Sequence, residues 1–404
     1  MQRVKELDGL RAVAILLVLA CHYRGFASLL GGVPEFGYIG VDIFFVLSGY
    51  LITTILLALR GQAHPYWTFY SRRAVRIFPP YFASVAVIVA IGVAVHDRMV
   101  TSSAFVFRQV FFLQAYNIPY LPYVFGLVLH PIAGLRLFPS LLVNAHHLPR
   151  PQVGITLDLI SAANTYWSLS IEEYFYLLWA PVVLLLRRGA IVAVGGAVCV
   201  AEMAIRWGYG GSSAEYFGLI FRFDALMYGA MLALVVTRWD PRAMPRRAGR
   251  VFAGIFCSAV AGVAVILFLL RPVVGYEVRD SPLFLVLGLP LISAGAAALV
   301  GLLVLRAGSE WWLARVMRWR AMQYLGTISY TMYLVHVLAA IAVDRALGWL
   351  GRSMHHGLFF VEAVLSTALT IAIARLSWHF MEKPLLRWKD RRFPATRVPE
   401  PVMN

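Results

Sequence analysis

The sequence predicts an all-α, polytopic membrane protein, a bundle of about ten transmembrane helices. Of the 404 residues, 60% are hydrophobic and only 14% are charged, which is too little polar surface for a soluble domain. Apolar runs of about 20 residues, long enough to cross a bilayer, recur along the whole length. Any chemistry must therefore be carried by helices and short loops.

Ten apolar runs are expected to span the membrane, and the charges between them set their direction. They lie at 10–28, 38–59, 79–96, 166–186, 190–207, 216–236, 251–270, 283–305, 323–343 and 357–380. Arg and Lys cluster in every second loop, at 60–76, 187–188, 238–250 and 315–320, and again at 383–392. Since cytoplasmic loops carry the basic excess, we expect both termini in the cytoplasm. The same topology accounts for the net charge of +16, so no nucleic-acid partner is expected.

The segment 97–165 interrupts this pattern. Its apolar patches, among them Tyr120–Leu129 and Leu137–Val143, are too short to span and are interrupted by prolines. We expect an outer-side loop with interfacial or re-entrant segments, which is either the wall of an acceptor pocket or merely an extracytoplasmic cap. The expected domains are a transmembrane domain over 1–390, which includes this loop, and a cytoplasmic tail over 391–404.

The first span carries a histidine. His22 lies eleven residues after Arg11, and eleven helical steps return to nearly the same face, roughly 16 Å further along the axis. Ionisable groups inside a membrane span are costly and indicate a functional site by default. We therefore expect His22 to take part in chemistry in the outer half of the bilayer, with Arg11 below it.

Three other helices are expected to bring ionisable groups to the depth of His22. They carry Asp42 in the second span, Glu172 and Glu173 at the start of the fourth, and Tyr330 and His336 in the ninth. A neutral imidazole beside a carboxylate is suited to removing a proton from a hydroxyl group. The predicted catalytic residues are His22, Asp42 and Glu173, and the predicted acceptor contacts are Glu172, Tyr330 and His336. The alternative, that each is a packed residue or a helix anchor, stays open.

A pair of arginines is expected on the opposite, cytoplasmic side. Arg73 and Arg76 are three residues apart, so in a helical turn they project together. We expect Pro79 and Pro80 to end this turn before the third span begins. Two guanidinium groups held side by side suit phosphate oxygens, although basic residues here also fit the topology alone. A phosphorylated donor would bind at this side and reach through the bundle toward His22.

Six stretches resemble the membrane acyltransferase 3 family. They are LDGLRAVAILLVLACHY, GVDIFFVLSGYLIT, RRAVRIFPPY, YWSLSIEEYFYLL, SYTMYLVH and MEKPL, in family order over residues 7–384. The family transfers acyl groups, most often acetyl, to hydroxyl groups of sugars and related molecules. Any one stretch alone is weak, but six in order are specific.

The resemblance implies a ten-helix bundle in which acyl-CoA enters from the cytoplasm as the donor substrate. It implies that His22 is the essential base or acyl-handling residue, that Arg73 and Arg76 bind the CoA phosphates, and that Arg11 also contacts the donor. Many relatives carry a further hydrolase-like domain. Because this sequence ends at Asn404, we expect no such fused domain.

The expected function is therefore an acyl-CoA-dependent O-acyltransferase, acting on a carbohydrate or glycolipid acceptor in a bacterial inner (plasma) membrane. Direct attack on the thioester and an acyl-enzyme relay both fit the residues. No metal or bound cofactor is expected, since Cys21, Cys199 and Cys257 lie in apolar spans as packing residues. Two alternatives stay open: a proton-coupled secondary transporter and a membrane scaffold that presents a lipid-linked glycan. The oligomeric state is not readable.

Overall fold

The protein is built from helices. The computed structural model describes residues 4–23, 37–116, 150–209, 221–237, 246–274, 281–349 and 356–393, with Phe26 and Gly218 singly. The helices are α1 (Lys5–His22), α2 (Ile39–Leu59), α3 (Pro65–Ala94), α4 (Ser103–Val110), α5 (Arg150–Asn164), α6 (Trp167–Leu185), α7 (Arg188–Tyr209), α8 (Phe223–Val236), α9 (Arg246–Val274), α10 (Leu289–Leu305), α11 (Trp312–Met317), α12 (Arg320–Trp349), α13 (His356–Ser377) and α14 (Lys383–Arg392). Two π-helical turns, Phe284–Gly288 and Trp378–Glu382, precede α10 and α14. Within these ranges there is no β-strand.

Within the described residues, eight helical segments are long and apolar enough to cross a bilayer, which confirms the predicted class of polytopic helical bundle. The other two expected spans, 10–28 and 216–236, fall on α1 and α8, which are not among these eight segments. In α1, four charged residues lie within the first seven positions. The 14 residues of α8 rise only ~21 Å, less than the ~30 Å of a hydrocarbon core. The orientation of the termini stays a prediction.

The central helices approach each other closely at glycines. A Cβ atom at Gly49 of α2 would lie 1.9 Å from the Leu226 carbonyl oxygen in α8, and one at Gly326 of α12 would lie 1.8 Å from the Asp8 carbonyl oxygen in α1. Only glycine permits such backbone contact. In contrast, only 11% of the apolar stretch of α9 is buried, against 67% for α2. Polar side chains on α1, α2, α8 and α12 can therefore be shielded from lipid.

The start of the third span differs from our expectation. We expected Pro79 and Pro80 to end a basic turn, but α3 runs through both prolines without a break. Each proline leaves the carbonyl four residues earlier without its helical partner, a loss that neighbouring groups can offset inside a bundle. Close to this point the Tyr330 hydroxyl donates to the Ile77 carbonyl at 2.9 Å. The two arginines that precede the prolines therefore lie within a continuous helix.

The expected fourth span, 166–186, coincides with α6, and a further helix precedes it. Within the segment 97–165 the structure contains α4 and α5, and α5 is followed almost directly by α6. Residues 155–185 together form one stretch long enough to span. The expected patches Tyr120–Leu129 and Leu137–Val143 lie outside the described residues, as does the tail beyond residue 393.

Candidate active site

His22 is the last residue of α1, and its side chain is exposed. Its Nδ1 lies 2.9 Å from the Val18 carbonyl oxygen. Since a carbonyl only accepts, this contact places the proton of a neutral imidazole on Nδ1. Nε2 then carries the lone pair and is available as a base.

His336 of α12 packs against His22. The two ring centroids are 4.7 Å apart and the ring planes meet at 79°. The His336 Nδ1 lies 2.6 Å from the Tyr333 carbonyl oxygen, and the His336 backbone carbonyl accepts from the Tyr23 hydroxyl at 3.2 Å. The structure thus brings the two histidines together, with the His336 side chain fully buried. The predicted contact of His336 with an acceptor stays a prediction.

A cavity of about 110 Å³ lies between α1, α2, α3, α6 and α12; we call it the arginine cavity. Its polar lining consists of Arg11, Ser48, Arg73, Arg76, Ser168, Glu172, Tyr176, Ser329, Tyr330 and Tyr333. Tyr333 lies between the cavity and the histidines, because its carbonyl contacts His336 Nδ1 and its ring centroid is 5.7 Å from that of His336. The cavity therefore reaches to within about one helical turn of the histidine pair.

The arginines of this cavity differ in their counter-ions. Arg11 forms an ion pair with Asp8 at 3.0 Å. The Arg73 guanidinium lies 5.5 Å from the centre of the Tyr176 ring. Among the described residues no carboxylate lies within ion-pair distance of Arg73 or Arg76. Two such cations on one helix face are suited to hold phosphate oxygens.

Glu172 lies in the wall of the arginine cavity, which His22 does not line. The hydroxyl groups of Ser48 (at 3.1 Å) and Tyr176 both donate to its Oε2. The neighbouring Glu173 has a buried Oε1 without a hydrogen-bond partner in the described part of the chain. The predicted roles of both carboxylates, and their depth beside His22, stay predictions.

Asp42 does not contact His22 either. Its carboxylate pairs with Arg222 of the α8 N-terminus, and both side chains are fully buried. The Arg222 guanidinium also lies 5.7 Å from the centre of the Phe45 ring. Over the described residues, no hydrogen bond or ion pair joins Asp42 to His22. No direct contact among the described residues therefore supports the predicted assistance of Asp42 to His22, which stays a prediction.

The pair of Asp42 and Arg222 belongs to a larger buried cluster. Arg206 of α7 pairs with Asp224 at 2.8 Å and with Glu202 at 3.3 Å. Glu202 also accepts from the backbone N–H groups of Phe223 and Asp224, each at 2.9 Å. We call Asp42, Glu202, Arg206, Arg222 and Asp224 the ionic network. Four of these residues, Glu202, Arg206, Arg222 and Asp224, were not predicted from the sequence, although their charges inside apolar spans were a visible signal.

Similarity to known proteins assigns both histidines and the arginine cavity to one family domain. A family model described as an acyltransferase domain matches residues 4–379. The chain belongs to the acyltransferase 3 family. The matched region contains every helix that lines the arginine cavity. With its apolar helices, this acyltransferase 3 domain is a multi-pass membrane protein.

Several relatives carry names that describe acetyl transfer. The chain is 28% identical over 404 residues to the putative peptidoglycan O-acetyltransferase YrhL of Bacillus subtilis, covering 96% of this chain and 56% of the relative. It is 28% identical over 403 residues to the peptidoglycan O-acetyltransferase OatA of Listeria monocytogenes, covering 95% and 56%. A putative O-acetyltransferase of Staphylococcus aureus, SACOL0978, is 24% identical over 415 residues, covering 98% and 60%. This acyltransferase 3 chain thus spans little more than half the length of these relatives. No solved structure matches it.

Proposed function

We propose that this chain is an integral-membrane O-acyltransferase that transfers an acyl group, most simply acetyl, from acyl-CoA to a hydroxyl group of an envelope carbohydrate in a bacterial inner (plasma) membrane. The observation that carries the proposal is that Tyr333 both lines the arginine cavity and contacts the histidine pair, with its carbonyl oxygen 2.6 Å from His336 Nδ1. The names of the Bacillus and Listeria relatives support a glycan such as peptidoglycan as the acceptor.

The donor would lie along the axis of α1. Its phosphate groups would bind Arg73 and Arg76, which line the cavity and have no ion-paired carboxylate among the described residues. Arg11 and His22 are eleven residues apart on one helix, a rise of roughly 16 Å. A flexible pantetheine arm of comparable reach would carry the thioester from the arginines to the histidines.

His22 would act as the general base. Nε2 removes the proton of the acceptor hydroxyl, and the oxygen attacks the thioester carbonyl carbon. The carbon–sulfur bond then breaks, and the CoA thiolate leaves with the proton that His22 had accepted. His336 would position the base, because its buried ring packs against the edge of His22.

The test is transfer of labelled acetyl from acetyl-CoA to envelope glycan in isolated membranes. We expect His22→Ala to abolish transfer, with an unchanged affinity for CoA. Turnover at the rate of the unsubstituted protein would contradict the proposal. So would solute uptake into vesicles that needs no thioester, because this outcome would indicate a transporter.

A further inference from the structure

The C-terminal helix α14 packs against the arginine-bearing helix α3. Arg72 of α3 pairs with Asp390 at 3.0 Å and also donates to the Phe393 carbonyl. The Phe393 ring lies 6.3 Å from the Trp67 ring of α3. The position of α14 against α3 is therefore fixed by charge and by aromatic packing.

Lys389 is one of two half-buried cations of α14. The side chains of Arg387, Arg391 and Arg392 are exposed, whereas Lys383 and Lys389 are half-buried, and the Lys389 side chain is only 12% exposed. Lysines ordinarily extend their ammonium group toward water. The charges around the Lys389 ammonium therefore decide what it can bind.

The carboxylates next to Lys389 do not balance the positive charges around it. Asp390 Oδ1 lies 3.7 Å from the Lys389 ammonium and 3.0 Å from Arg72, so one carboxylate serves two cations. Arg72, Arg73 and Arg76 all repel Lys389 electrostatically.

Carboxylates further away reduce the excess of positive charge around Lys389, but within the described residues they form no ion pair with Arg73 or Arg76. Glu172 and Glu173 act on Arg73 from a distance. Glu382 acts on Arg76 and hydrogen-bonds to Thr331 at 2.7 Å. Around Lys389 and α3, the cations Arg72, Arg73, Arg76 and Lys389 therefore outnumber the ion-paired carboxylates among the described residues.

We propose that Lys389 is a positioning residue for the donor, which with Arg73 and Arg76 holds the phosphate groups of acyl-CoA at the mouth of the arginine cavity. This inference rests on the proposed function. A compact ammonium complements the two planar guanidinium groups, since a chain of phosphates presents oxygens in several directions. The neighbouring Arg72 stays paired with Asp390 and anchors α14.

The experiment is calorimetric titration of CoA into the full-length protein, purified in a neutral detergent. We expect Lys389→Gln to raise the Kd for CoA about tenfold, the loss of one charge-assisted hydrogen bond. We expect Lys389→Arg to keep most of the affinity, and Arg391→Gln, an equal charge loss on the exposed face of α14, to change it less than about twofold. For S-acetylpantetheine, which lacks the nucleotide phosphates, Lys389→Gln should have no effect.

Three outcomes would overturn the inference. An equal loss in Lys389→Gln and Arg391→Gln would indicate general charge attraction. An equal loss for S-acetylpantetheine would indicate a role unrelated to phosphate. Thermal stabilisation by phosphatidylglycerol that depends on Lys389, with unchanged CoA affinity, would assign the site to a lipid headgroup. If the unsubstituted protein binds no CoA, the proposed function fails as well, whereas loss of binding in Arg73→Ala alone leaves that function standing.

Discussion

The arginine cavity and the ionic network both place charge among apolar helices, but they differ in how far opposite charges balance it. The network joins three carboxylates to two arginines, all buried, with ion pairs at 2.8 and 3.3 Å. The cavity holds three arginines, of which Arg11 alone has an ion-paired carboxylate among the described residues. Each charge of the network has an oppositely charged partner, whereas the cavity is an open space lined by its arginines.

A charge inside a membrane span can therefore have either of two roles, structural or ligand-binding. An intramembrane ionisable group indicates function by default, yet Asp42 satisfies this criterion and, within the described residues, pairs only with Arg222. Burying an ion pair is tolerable when both partners are present, and losing one partner is strongly destabilising. We infer that the network holds α2, α7 and α8 together, while the cavity keeps its cations for a ligand.

The largest expected effect is on the network. Arg206→Ala leaves Glu202 and Asp224 buried without their cation, so we expect a loss of ~3–5 kcal/mol in the free energy of unfolding. Thermal unfolding in detergent measures it, with the exposed Arg187→Ala as the matched control. Equal unfolding temperatures for the two variants would show that the network is not an anchor.

The cavity should respond in the opposite way. In Arg73→Ala combined with Arg76→Ala we expect the KM for acetyl-CoA to rise roughly 100-fold, because two charge-assisted phosphate contacts are lost. The unfolding temperature without ligand should hardly change, since neither side chain has an ion pair to lose within the described residues. Initial rates at varied acetyl-CoA, with Arg391→Gln alongside, measure this. A stability loss with unchanged KM would make the cavity a second structural cluster.

Asp42 offers a sharper version of the comparison. Asp42→Asn should lower the free energy of unfolding by ~1–3 kcal/mol, because Arg222 then keeps a hydrogen bond but loses its charge partner. Replacing both partners, as Asp42→Leu with Arg222→Met, should recover stability and most of the transferase rate. A well-folded but inactive double variant would show instead that Asp42 takes part in the reaction.

The smallest effect is expected at the cavity wall. Ser48→Ala removes one donor to Glu172, while Tyr176 still donates to the same oxygen. We expect a change of ~0.5–1.5 kcal/mol in the activation free energy, or less than about tenfold in kcat. Single-turnover rates with labelled acetyl-CoA measure it. A loss as complete as that of His22→Ala would give Ser48 a chemical role.

The sequence predicted the helical class because runs of apolar residues report directly on bilayer thickness. It also predicted that Arg73 and Arg76 would project together, since i,i+3 spacing is local. It could not predict that Ser48 of α2 donates to Glu172 of α6, because that contact depends on how the two helices pack. Partner choice was equally out of reach: Asp42 pairs with a residue 180 positions away, and no periodicity in a single sequence encodes such a contact.

The most direct test of the difference between the two regions is the shift in unfolding temperature on adding CoA. We expect saturating CoA to raise the unfolding temperature of the unsubstituted protein, and to raise it by a similar amount when Asp42→Leu and Arg222→Met are combined. We expect no shift when Arg73→Ala and Arg76→Ala are combined. A shift that survives the loss of both cavity arginines, or that disappears with the network pair, would contradict the assignment of donor binding to the arginine cavity.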